Sequence, residues 1–175
     1  QYGQQQLAIA KEKAERIEEL LWGIERRLFL LSRLPTIKRM QPDETLKSLM
    51  VVFDDLEGKV RFIARLDEKG EVLSVHPAGL IEGSFGRSLQ YRYYLDEIER
   101  TGKPYVSDLI LLNPSGENGQ KEMIKSILVA VPKYNDHFRF SGVILAALSL
   151  STLTAEYFKA GENYVSHDTW LIDQN

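Results

Sequence analysis

Between Leu7 and Leu34 the apolar positions Ile17, Leu20, Leu21, Ile24, Leu28 and Leu31 recur every three or four residues, separated by Lys, Glu and Arg. That spacing predicts one amphipathic helix. At 1.5 Å per residue it is about 40 Å long, more than a small domain is wide. Part of its stripe is therefore expected to meet a surface outside its own core, with a second copy of the helix as first candidate. Pro35 is expected to end the helix and residues 36–42 to connect. A second helix follows over 43–54, with Asp43 as its N-cap and Leu46, Leu49, Met50 and Phe53 on one side.

The period then falls to two. VRFIARL (60–66) alternates apolar and charged residues, DEKG turns the chain and EVLSV (71–75) returns, a β-hairpin in which Gly70 needs a positive φ. Residues 78–90 are irregular, with glycines at 79, 83 and 86. A short helix over 93–100 stops at Gly102. Three further strands, 105–112, 126–134 and 140–149, joined by NPSGENGQ and NDHFR, make an antiparallel meander. The order of elements predicts an α+β fold with five strands in one antiparallel sheet and helices packed on it. It divides the chain into a helical segment (1–54), a sheet domain (55–160) and a C-terminal extension (161–175). FIARLDEKG (62–70) is echoed in DTWLIDQN (168–175), which reads either as the start of a second module near Thr169 or as coincidence between two short strands.

At 175 residues the chain is long enough for one domain with a real core. Its 43% apolar and 27% charged residues are those of an ordinary globular protein. A formal net charge of -3 offers no basic field for a polyanion, which argues against nucleic-acid binding. The absence of cysteine removes disulfides, thiolate metal sites and cysteine nucleophiles together. The longest apolar run, VILAALSL (143–150), is far short of the ~20 residues of a membrane helix. The chain therefore reads as a soluble segment without a signal peptide, and its start at Gln1 and end at Asn175 are equally compatible with a fragment cut from between flanking segments.

Tools for catalysis are missing from the pattern. His76, His137 and His167 are widely separated, without metal-ligand spacing. The glycines of GLIEGSFG lack the G-K-[ST] of a phosphate loop, the pairs Asp54-Asp55 and Asp67-Glu68 fall at a helix end and a turn, and no serine elbow is present. No cofactor is implied and an enzyme is the weakest reading. The conspicuous chemistry is Arg92 in GRSLQYRYYLDEIERTGKPYVSD (86–108), crowded by three tyrosines. Either it lies on the surface, its stem across a ring or its charge paired with Asp96 one turn on, or its fork of donors grips an anion in a pocket enclosed by the aromatics.

The long helix, the hairpin FIARLDEKGEVLSVHP, the Arg92 stretch, the strand ILVAVPKY and the run FSGVILAALSLSTLTAEYF together resemble the Cache family of extracytoplasmic sensor domains, over about 17–158. The resemblance rests on their order and spacing. It implies a PAS-like five-stranded sheet with a ligand pocket between the sheet and the segment holding Arg92. It further implies a membrane-anchored receptor, with the sensor outside the inner membrane; the homodimer is expected from the long helix, whose stripe is suited to pack against its twin. A histidine kinase is the first candidate for the output, and a diguanylate cyclase or chemotaxis module the alternatives. The family's Arg-x-aromatic stretch falls on Arg92, Tyr93 and Tyr94, and the Asp that often holds an ammonium falls on Asp108. Tyr105 and Ser107 become wall residues and Lys133 a second positive charge, although a lysine at a strand end is usually solvated. The expected ligand is a small carboxylate or amino acid. Tyr93 stands where many amino-acid binders carry tryptophan, a departure that bears on the amino-acid alternative. A dimerisation or protein-interaction module with a vestigial pocket is the rival reading.

Overall fold

The computed structural model describes residues 2–39, 41–56, 58–78, 89–112 and 124–157, with the backbone alone at 2, 89–92, 124, 156 and 157. The glycine-rich stretch, the NPSGENGQ turn and the extension with its echo lie outside the described residues. The chain runs α1 (Tyr2–Ser32), α2 (Pro35–Lys38), α3 (Pro42–Asp55), β1 (Phe62–Leu66), β2 (Val72–His76), α4 (Leu89–Thr101), β3 (Tyr105–Val106), β4 (Ile110–Leu112), β5 (Ile124–Tyr134), β6 (Phe140–Ser149) and α5 (Leu150–Tyr157).

The first helix begins at Tyr2 rather than Leu7 and the fourth at Leu89 rather than Tyr93, and two further helix boundaries differ from the sequence reading because of proline. Pro35 opens α2 as its first helical residue, where its missing N–H costs nothing. The N-cap of α3 is Gln41, not Asp43, and caps without a side-chain hydrogen bond; Pro42 begins the helix. Asp43 and Glu44 instead occupy the first turn, where carboxylates meet the positive end of the helix dipole.

The hairpin is as read. Gly70 has φ 83°, and Asp67 Oδ1 accepts from the backbone N–H groups of Lys69 (2.9 Å) and Glu71 (2.8 Å). The expected strand over 105–112 is broken in two. At the break the Ser107 hydroxyl accepts the N–H of Leu128 (2.9 Å) and donates to the carbonyl of Asp108 (2.7 Å), replacing a stretch of ladder. β3 and β4 both pair with β5, so the sheet has six strands, ordered β2-β1-β6-β5-β3 with β4 beside β5.

All pairings are antiparallel, yet both faces of the central strands are covered. On one face Ile63, Val129, Val131, Ile144, Ala146 and Leu148 meet Ile24, Leu28 and Leu31 of α1, Leu49 of α3 and Leu153 of α5. On the other, Phe62, Ala64, Leu128, Ala130, Leu145 and Ala147 face Leu95 and Ile98 of α4. Burial on both sides explains why β6 reads as a nearly unbroken apolar run rather than an alternation. Gly142 lets β6 pass β1: its φ is 107°, and a Cβ there would lie 2.0 Å from the Leu66 carbonyl oxygen.

Candidate functional site

The helix α4 touches the sheet through Leu95 and Ile98, 7% and 1% exposed, and a hollow remains beside them. Its sheet wall is Leu66, Leu128, Ala130 and Val143, and Tyr94 and Tyr105 complete its rim. The hollow is about 20 Å³, which holds about one water molecule and no metabolite. The interior is apolar, and among the described residues it admits nothing larger than a water as it stands.

The two tyrosines come from different elements, α4 and β3, and meet with ring centroids 4.9 Å apart at 35°. Tyr93 is 62% exposed and sets its ring edgewise to Tyr94 at 6.0 Å. Burial pushes the Tyr105 phenol above its ordinary range, and Tyr94 and then Asp108 add to the effect. The phenol thus keeps its proton and remains a donor near neutral pH. Asp108 is exposed beside it, a carboxylate at the mouth rather than in the interior. Ser107 lines the hollow, but both roles of its hydroxyl are taken by backbone groups. The Arg92 backbone closes the first turn of α4, two residues before Tyr94; its side chain is outside the described residues.

Lys133 departs from the expectation of a solvated strand-end lysine. It is 0% exposed, and its ammonium donates to Ser141 Oγ at 2.6 Å. The register of β5 and β6 shifts between Pro132 and Tyr134, and Lys133 is turned toward Arg65 rather than toward the tyrosines. Its pKa is lowered to about 8, first by burial and then by the Arg65 charge, with Glu68 acting in the other direction. The structure therefore brings Tyr94, Tyr105 and Asp108 together at one rim and places Lys133 with Arg65.

Arg65 is the residue the sequence reading missed. In VRFIARL it looks like an outward charged position, as Arg61 is, yet it is 2% exposed and burial lowers its pKa. Alternation within one strand could not reveal this, because it depends on a second layer of helices over that face. As for metals, no group of three or more His, Asp or Glu side chains gathers among the described residues.

No family model matches the sequence, and no curated protein matches it. Solved structures do match. An extracellular ligand-binding receptor from Desulfohalobium retbaense superposes with a TM-score of 0.68 at 13% identity, over 84% of this chain and 25% of that one. The ligand-binding domain of the Pseudomonas aeruginosa amino-acid chemoreceptor PctC, in complex with GABA, gives 0.61 at 15% identity, over 89% and 65%. That of PctB from the same organism, in complex with L-Gln, gives 0.63 at 16% identity, over 84% and 55%. The chain thus spans 25% to 65% of the length of these structures. At such identities the likeness is one of fold. The chain has the PAS-like α+β fold of Cache-type extracytoplasmic sensor domains.

Proposed function

We propose that this chain is the extracytoplasmic ligand-sensing part of a membrane-bound signalling receptor, a sensor histidine kinase in the first instance, and that its ligand is a small carboxylate or amino-acid-like metabolite. The observation that carries the reading is the apolar hollow under α4, rimmed by the paired Tyr94 and Tyr105 with Asp108 beside them. Two neighbours of the same fold are described as complexes with GABA and L-Gln, ligands carrying one carboxylate and one ammonium. Here the phenols would donate to the carboxylate, Asp108 would accept from the ammonium, and the Arg92 guanidinium would add a bidentate fork. The aliphatic part of the ligand would replace water in the hollow.

Transmission follows from β5. Leu128 and Ala130 face the hollow, while Val129 and Val131, the alternate residues of the same strand, lie under α1. A ligand that holds α4 off the sheet favours a displaced β3–β5 edge, and one strand carries that displacement to the helix behind it. α1 is also suited to meet a second copy: Leu7 (71%), Trp22 (60%) and Phe29 (37%) are exposed along it, and a sedimentation measurement that finds only monomer at high concentration contradicts the homodimer.

The direct test is a thermal-shift screen of carboxylic acids, amino acids and amines. A ligand that binds only the folded chain raises Tm, by roughly 3–5 °C at tenfold excess over its Kd. The expected result is a hit that Arg92→Ala abolishes. A screen without hits, or a hit indifferent to Arg92→Ala and to Tyr94→Ala alike, contradicts the assignment.

A further inference from the structure

A second polar cluster lies on the other face of the sheet, separated from the hollow by the sheet itself. Arg65 of β1 and Lys133 of β5 are 2% and 0% exposed. The one carboxylate among the described residues that acts on Lys133, Glu68, is exposed at the hairpin turn. Arg65 Nη1 reaches Thr45 Oγ1 of α3 at 3.5 Å, and that hydroxyl is also 3.5 Å from the Thr36 carbonyl of α2. Among the described residues, the buried side-chain polar atoms without a hydrogen-bond partner are Arg65 Nε, Arg65 Nη2 and Thr36 Oγ1. Two of the three are on Arg65, and the third is on Thr36, whose carbonyl lies beside the Thr45 hydroxyl that Arg65 reaches.

Nε and Nη2 share one edge of the guanidinium, the side-on fork that matches two oxygens of a carboxylate or oxyanion. Water could accept from those donors, yet it would leave two positive charges together in a low dielectric without compensation. We propose that a small oxyanion, a carboxylate or inorganic anion with two oxygens to offer, binds the Nε/Nη2 edge of Arg65, with the Thr36 hydroxyl donating to it and Lys133 supplying the second charge. The site ties α2 and α3 to β1 and is independent of the ligand under α4.

Formate is the probe, titrated against bulky morpholinoethanesulfonate at constant ionic strength, with Tm as the readout. The wild type should show a saturable rise, roughly 3–5 °C at tenfold excess over the Kd. Arg65→Met should lose it, and Lys133→Met should shift its midpoint to higher formate at least tenfold. Absence of a saturable rise, or an equal rise in Arg65→Met, overturns the proposal. Should Arg65→Met fail to fold, a high-resolution crystal structure of the wild type in formate decides. Flat three-atom density on the Arg65 edge supports the site, and separate waters overturn it.

Discussion

Lys133 and Arg65 show how far a single residue can depart from its local pattern. Each is a long cation in a strand that the flanking residues mark as ordinary, and each is sealed by a layer of helices folded from a distant part of the chain. The Lys133 pKa falls from 10.5 to about 8, so between those values the unfolded chain holds a proton that the folded chain has released. Stability must rise with pH across that window. In a buffer free of small anions, urea unfolding should show a gain on the order of 2 kcal/mol from pH 7.5 to 10. Lys133→Met should flatten it. Tyr105, raised by burial, acts oppositely, but only above about pH 10, where unfolded tyrosines lose their protons first. A fall through the window, or the same rise in Lys133→Met, contradicts this account of the buried ammonium. The tyrosines were more legible than the cations, because aromatic crowding is visible in sequence order and the meeting of Tyr94 with Tyr105 needs only a short turn through Gly102.

Elements were readable wherever one pattern ran uninterrupted, a helical period in α1 and nearly continuous apolar runs in β5 and β6. They were misread where a side chain substitutes for backbone: the Ser107 hydroxyl breaks an expected strand by bonding the partner strand, and nothing local to residues 105–112 announces that. The long helix illustrates a subtler difference. Its expected stripe, through Leu20, Leu21, Ile24, Leu28 and Leu31, is largely taken up by the sheet. The surface left over is a different one, with Leu7, Ala14, Trp22 and Phe29 recurring every seven or eight residues. Arg26 lies over the Trp22 ring at 5.5 Å and Arg33 over Phe29 at 4.3 Å, so these rings are partly shielded by cations that a partner helix would displace. If this stripe forms the dimer, Trp22→Glu should weaken association at least tenfold in sedimentation equilibrium while shifting the monomer's Tm by no more than about 2 °C, since the site is exposed. Unchanged association would show that the stripe is not the interface.

For the molecule as a whole, the sequence carried the class of fold because helical and strand periods are segregated along the chain, and the resemblance to Cache sensors supplied a single antiparallel sheet with a pocket beside it, whereas the strand order came only from the structure. The size of the site was not legible. Whether a ring of apolar residues closes on one water or opens for a metabolite depends on how far α4 stands from the sheet, a packing distance set by Leu95 and Ile98 against β5 and β6. The account places the ligand in that gap, which makes the floor of the hollow the right place to intervene. Ala130, 6% exposed, contributes to that floor from β5, and Ala130→Leu fills it without removing any polar group. Calorimetric titration of a ligand from the thermal-shift screen should show an affinity at least tenfold weaker in Ala130→Leu than in the wild type. An undiminished affinity in the folded variant would place the ligand elsewhere and contradict the account.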